Sequence, residues 1–239
     1  METSVSAIVL SKIRYKDNDV IVKLFTKEHG VISFIVKIGS NLKKSKAKLV
    51  YFQELTILNV QFNYNTKRDL QYIKDINIKH HYISCHSDLE KASIIIFLSE
   101  ILSNILVHQK KEVALYNYIE ESFIWYDSNK NISYFHLIFL IQLTRFLGFY
   151  PDETNNNFKY FNLEEGFYEL SKSNEYSISG EDLKLFNQIL GTKFDSNPLL
   201  TLNSLEIMNI LDIILTYYSL HINNFRNIKS IEIIKNIFN

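Results

Sequence analysis

Five short runs rich in β-branched and aromatic residues crowd into the first 80 positions, and after them the spacing of apolar residues changes from two to between three and four. Residues 7–13, 20–25, 31–36, 55–62 and 70–78 read as strands. The chain turns at Asp17-Asn18-Asp19, Glu28-His29-Gly30, Gly39-Ser40-Asn41 and 63–66. The connection at 26–30 is short enough for a hairpin, with Gly30 free to take a positive φ. Strands this short and this numerous close most economically as a small barrel. Strand counting leaves an OB-type and an SH3-like barrel both open.

From about residue 80 the pattern is helical. Ser87-Asp88-Leu89-Glu90 has the form of a capping box with Ser87 as N-cap. The helix it opens presents Leu89, Ala92, Ile95, Ile96, Ser99 and Leu102 along one face. Further helices are expected over 112–126 and 133–147. Gly148 stops the second of these and Pro151 prevents its resumption. The stretch 152–178 breaks the run, and 158–170 reads as a hairpin turning at Glu164-Glu165-Gly166. Ser179-Gly180-Glu181-Asp182 starts a helix that Gly191 ends, and Asn203-Ser204-Leu205-Glu206 caps another reaching His221. A last helix covers about 227–238. The fold class is therefore α+β: an N-terminal five-stranded OB-fold-like barrel (1–79) packed on a C-terminal helical domain (80–239) that carries a small β-hairpin insertion (152–178).

Charge divides along the same line. Residues 1–79 hold 14 Lys/Arg against 7 Asp/Glu, a net of +7; residues 80–239 hold 12 against 19, a net of −7. No acidic residue lies between Glu28 and Glu54, so Lys37, Lys43, Lys44, Lys46 and Lys48 act there without local neutralisation. A cationic loop between two strands suits phosphate, which needs charge more than fixed geometry. Arg14, Lys16 and Lys23 extend the basic surface. Tyr15, Tyr51 and Tyr64 interleave with these cations as candidate platforms for unstacked bases. Phe34 and Phe62 alternate with apolar neighbours and belong to the core.

Other chemistry finds little support. Cys85 is the only cysteine, which rules out a disulfide within one chain and a cysteine-rich zinc site. His80, His81, Cys85 and His86 cluster, but their spacing matches no standard metal site. Glu164 and Glu165 are adjacent residues at a turn tip, a poor arrangement for an acid–base pair. His136 and His221 lie on helices as structural histidines. There is no glycine-rich phosphate loop and no nucleophile elbow. No secretory leader and no apolar run of membrane-spanning length is evident, so a cytoplasmic, non-enzymatic, cofactor-free protein is expected. Arg145, Phe146 and Phe149 close an apolar helix. They could act as a helix-dipole complement or as a cation beside an apolar pocket for a partner's carboxylate.

The run AIVLSKIRYKDNDVIVKLFTKEHGVISFIVKIGS, the basic segment LKKSKAKLVYFQELTIL, the LGFYPD after the third helix and the terminal IKSIEII resemble the RecO family of bacterial DNA-repair proteins, over essentially the whole chain. The resemblance implies an OB-fold joined to a helical domain. It also implies binding of single- and double-stranded DNA, strand annealing, and work with RecR in loading RecA onto strands coated by SSB. The acidic, phenylalanine-ended C-terminal tail of SSB is a further implied partner, with Arg145, Phe146 and Phe149 as its expected dock. Many members carry a four-cysteine zinc motif after LGFYP; here DETNNNFKYFNLEEGFYEL has no cysteine, so the hairpin must hold itself together by packing. The rival expectation is a protein-interaction adaptor whose basic loop docks on an acidic protein surface.

Overall fold

The computed structural model describes residues 2–16, 19–38, 49–129, 133–192 and 201–238. Two compact units divide the chain, Met1–Ser128 and Asn129–Asn239.

The first unit is built on a closed barrel of β1 (Glu2–Tyr15), β2 (Asp19–Thr26), β3 (Gly30–Lys37), β4 (Ile57–Asn63) and β5 (Leu70–His80), in the order β1-β2-β3-β5-β4. β1 is long enough to serve both halves. Its first residues pair with β4, and the part from Ala7 to Tyr15 pairs with β2. A bulge between Val9 and Ser11 makes the bend between the two. Closure comes from a parallel seam of three pairs, Ser33–Ile35 against Leu70–Tyr72. This Greek-key order decides for the OB type and against the SH3-like alternative.

Period-two alternation fills the barrel. Val20, Val22 and Leu24 point inward from β2, and Ile32, Phe34 and Val36 from β3. Phe34 meets Phe62 edge-on at 5.0 Å, and Phe52, on the short 3-10 turn Val50–Phe52, joins the same core. These three rings have no solvent exposure, and each contributes about 1.5–3 kcal/mol by burial.

Two helices complete the unit, α1 (Leu89–Ile105) and α2 (Val113–Ser128). The N-cap of α1 is Asp88, not Ser87: the Ser87 hydroxyl turns back to the carbonyls of Ile83 and Ser84, and Asp88 accepts the Lys91 N–H at 3.0 Å. Leu89 and Ile96 are exposed, because the buried arc of α1 runs through Ile94, Ile95, Phe97, Leu98 and Ile101 instead. Leu10, the extra residue of the β1 bulge, has its carbonyl satisfied by the hydroxyls of Ser99 and Ser103 at 2.6 and 2.7 Å. α2 is tied to the barrel by Lys79, which reaches both carboxylate oxygens of Glu120 at 2.7 and 2.9 Å. The Ser6 hydroxyl lies 2.8 Å from that of Tyr116.

The turn between β5 and α1 is held by one side chain from the end of α2. Asp127 accepts the N–H groups of Ile83, Ser84 and Cys85 at 2.8, 2.8 and 2.9 Å, and the Ser84 hydroxyl at 3.1 Å. Burial raises its carboxyl pKa, but the three backbone donors and Ser84 outweigh that and hold it below the usual carboxylate range. Beside it the Lys91 ammonium is buried against the carbonyls of Tyr126 and Asp127 and the Ser84 hydroxyl.

The second unit contains α3 (Phe135–Leu147), a three-stranded sheet of β6 (Tyr160–Asn162), β7 (Phe167–Glu169) and β8 (Ser177–Ser179), then α4 (Gly180–Leu190), α5 (Ser204–His221) and α6 (Ile231–Phe238). Gly148 ends α3 in the left-handed conformation at φ 86°. The capping box at α5 is complete, with Asn203 and Glu206 each bonded to the other's backbone N–H. The expected hairpin is β6–β7, and β8 adds a third strand on the other edge of β6. The final helix begins at Ile231, after a turn in which Ile228 is buried. Among the described residues no helix is long and apolar enough to cross a membrane.

The sheet is held by packing and by a hydrogen-bonded knot. Phe161 is buried against Tyr168 and Phe186 at centroid distances of 4.9 and 5.1 Å. Glu169 accepts the hydroxyls of Ser177 and Ser173 at 2.6 and 2.7 Å, the Ser173 N–H at 3.1 Å and the Asn162 amide at 3.4 Å. Asn162 also donates to Ser173 Oγ at 2.8 Å. With no cysteine in this stretch, the residues present do not fit a zinc–thiolate site.

His136 on α3 has no solvent exposure, and its ring stacks on Phe238 at 5.6 Å. Burial pushes its pKa down to about 3, against a smaller upward pull from the Ser133 backbone. The unfolded chain protonates this imidazole near pH 6.5, while the folded chain holds off until about 3. Stability therefore falls as pH drops through that window, by about 2 kcal/mol at pH 5 for this group alone. Thermal melts at pH 7 and pH 5 should show a smaller acid shift in His136→Phe than in the parent.

Candidate nucleic-acid interface

Residues paired across a sheet share a face, so the register of β1, β2, β3 and β5 arranges their outward side chains in lateral rows. One row is Ser11, Lys23, Ser33 and Leu70. The next is Ile13, Ile21, Ile35 and Tyr72, and a third begins Tyr15, Asp19 and Lys37, with Lys74 two residues past Tyr72 on β5. At the usual strand spacing a four-residue row spans roughly 14 Å. In the middle row Ile13 is 57% exposed and Tyr72 53% exposed. This is the face, with its neighbouring loops, on which OB-folds take extended polymers.

The β4–β5 loop borders it. Gln71, buried just inside β5, donates to the carbonyls of Asn65 and Arg68 at 2.9 and 2.7 Å and accepts the Asn65 N–H at 3.0 Å. Those bonds fix a loop that exposes Lys67 and Arg68, and the Arg68 guanidinium stands 5.9 Å from the centroid of Tyr72. Beyond Ile35 and Tyr72 the parallel seam opens. A cleft of about 260 Å³ lies there, lined by Lys37, Phe52, Tyr72, Lys74 and Asp75 among others.

The expected DNA-contacting residues fall in three places. Lys23 sits half-buried in the first row and Lys37 is exposed at the end of β3. Arg14 pairs with Val20, on the opposite face of β1 from Ile13; Lys16 lies in the turn after β1, 5.3 Å from the ring centroid of Tyr15. Lys43, Lys44, Lys46 and Lys48 lie outside the described residues. Their segment leaves after Ile38 and rejoins at Leu49, and its flanks Lys37 and Phe52 both line the cleft.

Of the candidate platforms, Tyr15 ends the third row, Tyr51 packs against the barrel core, and Tyr64 stacks on His29 at 4.6 Å. Reading the sequence missed Tyr72, Lys74, Lys67 and Arg68. The alternation in Leu70-Gln71-Tyr72-Ile73-Lys74 could have shown Tyr72 and Lys74 facing out, since Gln71 and Ile73 pair with the inward residues Phe34 and Phe62.

In the second unit, Arg145 and Phe146 are exposed on the last turn of α3. The Arg145 guanidinium stacks 3.4 Å from the centroid of Tyr150, donates to Gln142 Oε1 at 2.9 Å and lies 3.6 Å from Glu153. Phe149 turns inward, parallel to the His221 ring at 5.1 Å and beside Tyr217 and Tyr218. His221 itself bonds the Leu163 carbonyl. Glu164 accepts the Asn174 amide at 2.8 Å, and the N–H groups of Glu164 and Glu165 donate to Asn162 Oδ1. His86 is bonded to the Glu54 carbonyl, and among the described residues no three His, Cys, Asp or Glu side chains converge to hold a metal.

Two family models account for nearly the whole chain: Recombination protein O N terminal matches residues 1–82, and Recombination protein O C terminal matches residues 86–230. The chain belongs to the RecO family. Curated relatives agree along the full length. The DNA repair protein RecO of Flavobacterium psychrophilum is 36% identical over 238 residues, covering 100% of both chains. The RecO proteins of Christiangramia forsetii and Phocaeicola vulgatus are 34% and 31% identical, each over 97% of both chains. The barrel thus coincides with the N-terminal RecO match, while α1 and α2, grouped with the barrel, fall in the C-terminal match. The chain is a RecO-family DNA repair protein.

Proposed function

We propose that the protein is a DNA-binding recombination mediator acting in the cytoplasm. It binds single- and double-stranded DNA, anneals complementary strands and, with RecR, helps load RecA onto strands coated by SSB. The observation that carries this reading is the outward face of the barrel, where Lys23, Lys37, Lys67, Arg68 and Lys74 surround an apolar row. Bringing two strands together costs phosphate repulsion, and a cationic surface lowers that cost without reading sequence. Lys43, Lys44, Lys46 and Lys48 add further counter-charge to this interface. RecR, RecA and SSB enter as partners from the family resemblance. The exposed pair Arg145 and Phe146 offers the SSB tail a cation and a ring; Phe149, the third residue expected there, packs inward on His221.

Fluorescence anisotropy with labelled oligonucleotides over a salt series tests the reading. Binding should weaken steeply with salt and respond alike to several sequences. Replacing Lys43, Lys44, Lys46 and Lys48 together by alanine should reduce the log–log salt slope on single strands by up to about 3. An unchanged slope would remove these lysines from the interface. Absence of binding even at low salt would leave the adaptor reading in its place.

A further inference from the structure

We infer that the row Ile13, Ile21, Ile35 and Tyr72 takes the unpaired bases of a single strand, with Tyr72 as the stacking platform that makes the barrel prefer single strands over duplex. This rests on the DNA-binding reading above and assigns a role to one residue within it. The row crosses four adjacent strands, its two ends are more than half exposed, and polar residues flank its middle, Lys23 and Ser33 on one side and Asp19 and Lys37 on the other. Water-facing positions of a barrel do not need three isoleucines and a tyrosine in one line, so the line is suited to an apolar partner with flat faces.

Charge selects that partner. Lys16, Lys23, Lys37, Lys67, Arg68 and Lys74 border the row, against the carboxylates of Asp19, Asp69 and Asp75. An occupant that is apolar along its centre and anionic along its edge is a nucleic acid strand with its bases turned to the sheet. Duplex DNA cannot present that surface, because its bases are paired and stacked on one another; it would meet the cations alone. Arg68, 5.9 Å from the Tyr72 centroid, is placed to neutralise the phosphate beside a base stacked on that ring.

Three oligonucleotides of equal length separate the contributions: a single strand, the same backbone with a run of abasic sites, and a duplex. The parent protein should bind the base-bearing strand more tightly than the abasic one. Tyr72→Ala should lose on the order of 10- to 100-fold for the base-bearing strand. Its affinity for the abasic strand and for duplex should stay near the parent's, with the salt slope unchanged, and Tyr72→Phe should behave as the parent. Because the ring is exposed on a strand surface, a melting curve close to the parent's should accompany the loss. Equal binding of abasic and base-bearing strands by the parent would overturn the inference while leaving DNA binding intact. So would a Tyr72→Ala variant that weakens on all three ligands together. A parent protein that binds none of the three would overturn the underlying reading as well.

Discussion

Replacing Asp127 by alanine should lower the free energy of unfolding by about 2–4 kcal/mol, a large share of what a domain of this size possesses. The substitution strips the acceptor from three consecutive N–H groups, those of Ile83, Ser84 and Cys85, and from the Ser84 hydroxyl, which also accepts from the buried Lys91 ammonium. Of these donors the Cys85 N–H is buried, and leaving it unsatisfied costs about 1–3 kcal/mol; the part-buried Ile83 and Ser84 donors add less, since water can reach them once the turn relaxes. Asp127→Asn keeps one carbonyl acceptor and should fall between parent and alanine variant. The same carboxylate predicts a pH effect. Its folded pKa lies below the unfolded value near 4, so below about pH 4 the unfolded chain takes up the proton first and stability drops. Urea unfolding of the three proteins at pH 7 and pH 3 measures both. A cost under about 1 kcal/mol for the alanine variant would contradict the role given to this side chain.

Gly30→Ala should cost on the order of 3 kcal/mol, for a reason that glycine conformation alone does not supply. At φ 74° an alanine Cβ would lie 2.2 Å from the Gln109 carbonyl oxygen and within 2.9 Å of the Lys110 backbone. That carbonyl also accepts the Val31 N–H at 2.9 Å, so the β2–β3 turn is docked directly on the segment following α1. A methyl group there must push the two apart and break the bond. Gly148 supplies the comparison, since at φ 86° it has nothing within 4 Å of the place a Cβ would take. Gly148→Ala therefore carries only the left-handed penalty of about 1–2 kcal/mol. Matched denaturation curves for the two variants give the cost of the close approach by difference. Equal losses would mean the turn is not pressed against its neighbour.

The sequence made the strands and helices legible because their apolar periods are local. Lys12, Val22 and Phe34 could be placed on strands by alternation; that β3 and β5 close the barrel could not, because the seam is three pairs long and joins residues about 37 apart. β8 was invisible for a related reason, since Ser177-Ile178-Ser179 has no strand signature apart from the edge it joins. The cap of α1 moved by one residue because Ser87 and Asp88 both qualify, and only the Ser87 bonds to Ile83 and Ser84 separate them. At the interface, the basic character of the first 79 residues was plain. The line of Ile13, Ile21, Ile35 and Tyr72 was not, because it exists only once four strands are in register. Phe149 was expected beside Arg145 and Phe146 as part of an apolar dock, and nothing in the sequence signalled its stacking partner His221, which comes from a helix 72 residues later.

The knot around Glu169 has a bearing on how this repair protein meets chemical stress. A lobe clamped by zinc and thiolates opens when an oxidant attacks sulfur or a chelator removes the ion. Here the corresponding strands are joined by two serine hydroxyls, an asparagine amide and one carboxylate, none of which reacts with peroxide or exchanges with a metal pool. The single thiol, Cys85, is buried, and its pKa is raised first by that burial and then by Asp127, which keeps it protonated and slow to oxidise. Oxidising conditions, which damage DNA, therefore find neither in this sheet nor at the buried thiol a joint they can readily open.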